Sequence, residues 1–227
     1  MSLKAVFLDF SGAIVDDEEI DRELIANILL DENLRADDDE YTRYCRGRSD
    51  RACLKDILAN RGRILSDEYL DRLLDTKAEN YRQQVAQLSG LPVAPHLVEF
   101  LTQLREQQIA VGIVTGATRS AVEYILEKIE LSQYFDLIVA GDDLLESKPE
   151  PEPYLLAARK LNLQPSECLA IEDNPIGIEA AKRSQILVVG ISYIYPLHML
   201  QRQANWTVDD VLEIELDRVD RVLSEAG

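Results

Sequence analysis

A series of short apolar runs, rich in β-branched residues, constrains the fold of this chain more than any other feature. The runs are Ala5–Leu8, Ile109–Val114, Leu137–Ala140, Cys168–Ile171 and Ile186–Val189. None shows the strict alternation of a half-exposed strand, so each is typical of a strand that is buried on both faces. Segments with helical periodicity separate the later runs, which predicts an α/β protein with a parallel sheet and right-handed crossovers. In such a sheet, ligands bind at the carboxyl ends of the strands.

The gap between the first two runs interrupts this alternation. It contains about 100 residues with helical patterns and without a strand-like run. A simple crossover between parallel strands needs far fewer residues. We therefore expect an all-helical domain, residues 17–89, inserted into an α/β core formed by residues 1–16 and 90–227. Hinges are expected near Asp16–Asp17 and at Ser89–Pro92. Glycine and proline interrupt helical structure at the second of them.

Polar residues follow four of the apolar runs, at the strand ends that should share one edge of the sheet. In chain order they are Asp9 and Ser11, Thr115 and Gly116, Lys148, and Glu172 with Asp173. Any one of them alone is commonly a turn former or a surface charge. Together, an acidic group, a hydroxyl, an amine and an acidic pair at one edge indicate a chemical site.

Charge and cysteine content narrow the possible classes of protein. The chain has 24 Lys and Arg against 42 Asp and Glu, a formal charge of −18. Such an acidic surface repels nucleic acid and anionic membrane, so neither is an expected partner. No apolar run approaches the roughly 18 residues of a membrane span, and the first residues lack a leader pattern. Three cysteines, Cys45, Cys53 and Cys168, predict reduced thiols in a cytoplasmic protein. We expect a monomer or a weak dimer.

Four segments of the chain resemble the motifs of the haloacid dehalogenase superfamily. They are AVFLDFSGAIVDDE, IVTGAT, ESKPEPEPY and IEDNPIGIEAAKRS. The chain is most similar to the branch of β-phosphoglucomutase-like and phosphoglycolate phosphatase-like enzymes, which carry a small helical cap after the first motif. The resemblance implies a Rossmann-like parallel-sheet core, an all-helical cap and a Mg²⁺-dependent phosphatase that acts on a small phosphorylated metabolite.

The resemblance also implies a role for each polar strand end. Asp9 is the nucleophile that accepts the phosphoryl group as an acyl phosphate. The Mg²⁺ ligands are a carboxylate oxygen of Asp9, the main-chain carbonyl of Ser11 and the carboxylate of Asp173, with Glu172 as a ligand or an outer acceptor. The groups that hold the phosphoryl oxygens and offset their charge are Thr115, Gly116 and Lys148.

The charges of these groups support the need for a cation. Asp9, Glu172 and Asp173 carry three negative charges, a phosphate monoester adds about two more, and Lys148 supplies one positive charge. Like charges in a partly dry cleft cost several kcal/mol. Mg²⁺ suits such a set of oxygen ligands.

Ser11 departs from the family pattern, because the related phosphatases usually have an aspartate there as the general acid and base. A serine hydroxyl cannot hold an exchangeable proton near neutral pH, and loss of such a group costs about 10²–10⁴ in rate. Ala13 also replaces the usual threonine. A main-chain carbonyl ligand at this position should be unaffected.

Three interpretations of Ser11 are open. The first, which we predict, is a phosphatase that turns over slowly or prefers good leaving groups. The second is phosphonatase-like hydrolysis with a cap lysine, Lys55 or Lys77, as a Schiff base. The third is a protein that binds Mg²⁺ and phosphate with little or no turnover. Metal-free dehalogenation is disfavoured by the acidic pair, and mutase chemistry by Asp21, which stands where related mutases have histidine.

A basic segment in the predicted cap, residues 43–63, has seven Lys and Arg against two Asp. It resembles the substrate-specificity loop of capped family members. Arg46, Arg48 and Arg51, beside Gly47, are predicted to bind the anionic part of the substrate, because a guanidinium pairs bidentately with phosphate or carboxylate. The alternative is that these arginines pair with nearby acidic residues. The prediction is a small polyanionic substrate, such as a sugar phosphate or a phosphorylated acid.

Overall fold

The computed structural model of the chain describes residues 2–88 and 90–225. These residues form a parallel sheet of six strands in the order β3-β2-β1-β4-β5-β6. The strands are β1 (Ala5–Leu8), β2 (Ala110–Val114), β3 (Leu137–Val139), β4 (Cys168–Glu172), β5 (Leu187–Ile191) and β6 (Trp206–Val208). The sequence predicted the first five. It missed β6, whose three residues include the polar Thr207 and the partly exposed Trp206, too short a pattern to separate from a loop.

The central strand β1 is completely buried, as the apolar runs predicted. Its residues alternate between two cores, with Val6 and Leu8 on one face of the sheet and Ala5 and Phe7 on the other. Leu8 pairs with β2 on one side and with β4 on the other. The chain order therefore reverses at β1, and the crevice of a parallel sheet opens at such a switch point.

Ten α-helices surround the sheet or extend from it in the described part of the chain. They are α1 (Glu18–Asp31), α2 (Asp38–Tyr44), α3 (Asp50–Asn60), α4 (Asp67–Gln87), α5 (Leu97–Glu106), α6 (Arg119–Lys128), α7 (Glu152–Lys160), α8 (Pro175–Arg183), α9 (Leu197–Leu200) and α10 (Leu216–Glu225). Helices α5, α6 and α10 pack on one face of the sheet, and α7, α8 and α9 pack on the other. The sheet is thus the middle of three layers.

Helices α1 to α4 lie between β1 and α5 in the chain and have a hydrophobic core of their own. Ile25, Ile57 and Leu58 are among its buried members. The segment that leaves the α/β core and the segment that returns to it lie side by side. Asp16 N of the first donates to Pro92 O of the second at 2.9 Å. These positions adjoin both predicted hinges, of which Ser89 lies outside the described residues. We refer to α1–α4 as the helical insertion.

Two cysteines of the helical insertion differ from the expectation of reduced thiols. Cys45 and Cys53 form a disulfide, with Cα atoms 4.4 Å apart, and Cys168 is free and buried. The turn between α2 and α3 brings the pair together, which an odd cysteine count cannot reveal. Across residues 2–88 and 90–225, every helix is too short or too polar to cross a lipid bilayer.

Candidate active site

Asp9 lies immediately after β1, in the crevice at the switch point of the sheet, and its side chain is almost fully buried. The Phe10 amide donates to Asp9 Oδ1 at 2.8 Å, and Lys148 Nζ donates to the same oxygen at 3.0 Å. Asn174 Nδ2 donates to Oδ2 at 3.2 Å. These three donors orient the carboxylate and place a positive charge beside it.

Lys148 reaches the crevice from the loop that precedes α7 and is buried beneath Asp9. Besides Asp9, its ammonium donates to Glu172 Oε1 at 2.6 Å and to Val114 O at 2.9 Å. Burial alone would lower the pKa of Lys148, but the carboxylates of Asp9 and Glu172 raise it above its usual value. The amine is therefore a fixed positive charge rather than a proton donor.

Three buried carboxylates, those of Asp9, Glu172 and Asp173, have oxygens within 4.8 Å of one another. Burial raises the pKa of Asp173 to about 7, with a further contribution from the Asp9 charge and an opposing one from Asn174. Burial and the Asp9 charge likewise raise the pKa of Glu172 well above its usual value. One lysine does not balance this cluster. The all-oxygen donor set and the excess of negative charge fit a hard divalent cation such as Mg²⁺.

Glu172 is the most enclosed of the three carboxylates. Its Oε1 accepts hydrogen bonds from Lys148 and from the Tyr154 hydroxyl, and its Oε2 accepts one from Asn174 at 3.3 Å. A Cβ atom at Gly177, in the first turn of α8, would lie 2.0 Å from Oε2. Glu172 therefore holds Lys148 in place on the side away from the cavity. The carboxylates that line the cavity are those of Asp9 and Asp173.

Asn174 was missing from the predicted site. Its side-chain oxygen caps α8 by accepting from Gly177 N at 2.8 Å, and its Nδ2 also donates to Asp173 Oδ1 at 2.8 Å. One amide thus links the helix terminus to all three carboxylates. Its position directly after the acidic pair and before Pro175, the first residue of α8, was the available indication.

The other predicted core residues meet at the same cavity. Ser11, Thr115 and Gly116 line it together with Asp9 and Asp173. Thr115 is buried at the end of β2, where its Oγ1 accepts from the Ala117 amide at 3.1 Å. Lys148 and Glu172 lie behind this lining, which Lys148 contacts through Asp9 and Glu172 through Asn174. Residues from four strand ends are thus brought together within one crevice.

The turn between α2 and α3 closes over the cavity. Gly47 has φ +73°, and a Cβ atom there would lie 2.4 Å from Asn174 Oδ1. Ser49 N donates to Ser147 Oγ at 2.6 Å, and Asp50 N donates to Gly116 O at 3.4 Å. Only glycine at position 47 allows the turn to approach the core so closely.

The three predicted arginines have acidic partners. Arg46 pairs with Glu18 and donates to the Tyr195 hydroxyl at 3.1 Å, and its guanidinium lies 4.9 Å from the centre of that ring. Arg48 pairs with Asp56 at 2.7 Å. Both border the cavity. The structure does not bring Arg51 to it: this side chain pairs with Asp71 and with Asp67 at 3.7 Å, in a neighbouring groove.

A charged network in the helical insertion also faces the cavity. The sequence analysis considered its Lys77 as a Schiff-base lysine in one interpretation of Ser11, but it did not include the network in the predicted site. Lys77 of α4 is buried between Asp21 of α1 and Asp50 of α3, with 2.8 Å to the latter. Tyr41 donates to Asp21 Oδ2 at 2.8 Å. Burial alone would lower the pKa of Lys77, but its two carboxylate partners raise it. The available indication was a lysine on the buried face of α4, between the apolar residues of its stripe.

Asp17 extends this network towards Ser11. Its Oδ2 accepts a hydrogen bond from the Tyr81 hydroxyl at 2.5 Å. Burial raises the pKa of Asp17 to about 6, and the neighbouring hydroxyls of Tyr81 and Ser11 partly offset that rise. We call Asp17, Asp21, Asp50 and Lys77 the cap wall.

A parallel sheet with a buried carboxylate at its switch point, and a helical layer inserted after its first strand, is typical of one class of α/β hydrolases. The chain belongs to the haloacid dehalogenase-like hydrolase family, whose model matches residues 6–191. The match includes the first motif segment from Val6 onward and all of the other three, and it confirms the predicted family, fold class and hydrolase activity.

Individual proteins similar to the chain include two phosphatases and one mutase. Validoxylamine A 7'-phosphate phosphatase of Streptomyces hygroscopicus subsp. limoneus is 29% identical over 217 residues, 93% of this chain and 95% of that one. Phosphoglycolate phosphatase of Salmonella typhimurium is 33% identical over 124 residues, which span 55% of this chain and 49% of that enzyme. The crystal structure of β-phosphoglucomutase from Clostridium difficile has a TM-score of 0.85 at 21% identity and covers 99% of this chain and 98% of its own.

Proposed function

We propose that this protein is a Mg²⁺-dependent phosphatase that hydrolyses a small phosphorylated metabolite through an acyl phosphate on Asp9. The observation that carries the proposal is the Asp9 carboxylate, held at the cavity by Lys148 at 3.0 Å with Asp173 beside it. The names of the two similar phosphatases support a phosphate monoester as substrate. In this proposal the helical insertion, residues 17–89, is the cap that covers the substrate.

Asp9 performs the first chemical step. Its carboxylate oxygen forms a bond to phosphorus while the bond from phosphorus to the leaving oxygen breaks. Thr115 and the amides near Gly116 hold the phosphoryl oxygens, and Lys148 offsets their charge. A water molecule then attacks the acyl phosphate, which releases inorganic phosphate and restores Asp9.

The carboxylates of Asp9 and Asp173, with the main-chain carbonyl of Ser11, would hold the Mg²⁺ ion, and Glu172 supports them from behind. When bound, the ion neutralises charge on the phosphoryl oxygens. Ser11 cannot protonate the leaving oxygen, so the leaving group takes its proton from water. We therefore expect turnover about 10²–10⁴ below that of an enzyme with a carboxylic acid in this place.

The position of Lys77 favours a phosphatase over phosphonatase-like hydrolysis. A Schiff base needs a neutral amine, whereas the Lys77 ammonium is paired with two carboxylates that raise its pKa. Lys55 is exposed on α3, and its side chain is not part of the cavity lining. The cap lysines of this chain are therefore poorly suited to imine chemistry.

Hydrolysis of p-nitrophenyl phosphate tests the proposal. We expect turnover that requires Mg²⁺, is abolished by EDTA and is lost in Asp9→Asn, which preserves the shape of the side chain. Glu99→Gln, an exposed substitution on α5, is the matched control and should retain parental activity. Turnover that persists in EDTA or in folded Asp9→Asn would overturn the proposal.

A further inference from the structure

The turn between α2 and α3, residues 45–49, crosses the crevice from one side to the other. At its α3 end, the main-chain amides of Ser49 and Asp50 donate to the loops that follow β3 and β2. At its α2 end, Arg46 reaches Tyr195 in the loop that follows β5. Strands β1 and β4 lie between β2 and β5 in the sheet. The turn therefore spans the strand ends of the candidate site, and its two ends are held on opposite sides of them.

Arg46 has one partner in the helical insertion and one in the core. Its ion pair with Glu18 of α1 lies within the insertion and adds no contact with the core. Its Nη1 donates to the Tyr195 hydroxyl at 3.1 Å, and the guanidinium carbon lies 4.9 Å from the centre of the Tyr195 ring. This contact combines a hydrogen bond from a charged donor with a cation–π interaction. Tyr195 thus attaches this end of the turn to the core.

Tyr195 has a fixed position from which to hold Arg46. It packs against the hydrophobic core on the face of the sheet that α7, α8 and α9 cover. Pro196, whose ring restricts the backbone, follows it and precedes α9. Ile194, the residue before Tyr195, borders the cavity. The loop after β5 therefore forms part of the cavity wall.

We infer that Tyr195 is a positioning residue: through Arg46 it holds the turn between α2 and α3 against the core, over the strand end that bears Asp9. A turn that is ordered before a substrate binds does not have to be ordered by the substrate, which favours affinity. The effect on the substrate rests on the proposed phosphatase function. The hold on the turn can be measured without turnover.

Hydrogen exchange of the Ser49 and Asp50 amides measures this hold. Both amides donate to oxygens of the core, so their exchange requires the turn to leave the core. In the metal-free protein, Tyr195→Phe keeps the ring and removes the hydrogen bond, and it should accelerate their exchange about threefold to tenfold. Tyr195→Leu also removes the ring and should accelerate exchange by about twofold to fivefold more.

Tyr193→Phe is the matched control, because it is the same change in the same loop. The Tyr193 hydroxyl donates to Pro95 O at 3.3 Å and accepts from Val211 N at 3.4 Å, both groups of the core rather than of the turn. Its loss should leave the exchange of the Ser49 and Asp50 amides unchanged. Equal acceleration in this control would show a general loss of stability and would overturn the inference.

The variant Arg46→Met assigns the effect to the pair. In this background Tyr195→Phe should not accelerate exchange further, because the hydrogen bond is already absent. Additive effects of the two substitutions would show that Tyr195 does not act on the turn through Arg46, and they would overturn the inference.

Steady-state kinetics with p-nitrophenyl phosphate and Mg²⁺ test the consequence for the substrate. In Tyr195→Leu we expect KM to rise about twofold to tenfold, the cost of ordering a side chain on binding. The value of kcat should stay within about twofold of the parent, since only binding is affected. A smaller fraction of folded enzyme would instead lower kcat and leave KM unchanged. An unchanged KM would overturn the positioning role.

The outcomes separate this inference from the proposed function. Unchanged exchange at Ser49 and Asp50 in Tyr195→Leu would overturn the inference, and hydrolysis of p-nitrophenyl phosphate by the parent would leave the phosphatase proposal intact. Absence of that hydrolysis in the parent would refute the phosphatase proposal and the predicted effect on KM. Hydrogen exchange would still decide whether Tyr195 holds the turn.

Discussion

The substitution Asp173→Asn should stabilise the metal-free protein at pH 8. Burial and the neighbouring Asp9 charge raise the pKa of Asp173 from 3.8 to about 7. Between about pH 4 and pH 7 the folded protein therefore binds a proton that the unfolded chain has released. Stability then falls as pH rises through this window, because the folded state binds more protons than the unfolded state.

The magnitude follows from the pKa. One pKa unit corresponds to about 1.4 kcal/mol, so a rise of about three units costs up to about 4 kcal/mol at pH 8. Asparagine keeps the oxygen that accepts from Asn174 Nδ2 at 2.8 Å and removes the charge. Rearrangement of the neighbouring charges reduces this gain. We expect the free energy of unfolding of the variant to exceed that of the parent by about 1–4 kcal/mol.

Urea unfolding at pH 5 and pH 8, in EDTA and in Mg²⁺, measures this effect. In EDTA the free energy of unfolding of the parent should fall between pH 5 and pH 8. The corresponding fall in the variant should be smaller. At pH 8, Mg²⁺ should stabilise the parent by mass action and stabilise the variant less. Asp39→Asn on α2 is the control, since the carboxylate of Asp39 is exposed. A variant that is less stable than the parent at pH 8 in EDTA would refute the electrostatic reasoning.

Three further predictions concern groups around the site. Ser11→Asp should raise the rate of alkyl phosphate hydrolysis, measured by phosphate release, by one or more decades. The rate with p-nitrophenyl phosphate should rise less. An unchanged or lower rate would contradict the idea that a general acid is missing. Gly47→Ala should lower kcat/KM at least tenfold with an unchanged circular dichroism spectrum, because its Cβ would lie 2.4 Å from Asn174; full activity would argue against a closed turn. Reduction of the Cys45–Cys53 disulfide should lower the free energy of unfolding of the parent by about 2–3 kcal/mol. The same reductant should not change the stability of Cys45→Ser. A parent whose stability does not change on reduction would count against the disulfide.

The sequence alone was sufficient for the α/β core and for the edge of the sheet at which the predicted polar residues meet. Strands buried on both faces leave continuous apolar runs, and parallel strands deliver the residues that follow them to a common edge. Asp9, Thr115, Lys148 and Asp173 could thus be grouped before any coordinates, and they do meet at one crevice. Strand β6 was not predicted, because its three residues, two of them partly exposed, form too short a pattern to distinguish a strand from a loop.

The chemistry of the helical insertion was decided by tertiary structure. The charged residues of this region are distant in sequence and meet only when the helices pack. They are Asp17 at the N-terminus of α1, Asp21 within α1, Asp50 of α3 and Lys77 of α4. Helical periodicity specifies which face of a helix is buried, but not which partner neutralises a charge on that face. The arginines near Gly47 illustrate the limit, since their composition indicated a pocket for anions while their ion pairs satisfy them within the protein. Local sequence patterns determine the helices and strands and the residues at the strand ends. The balance of charge in a site depends instead on contacts between segments that are remote in the sequence.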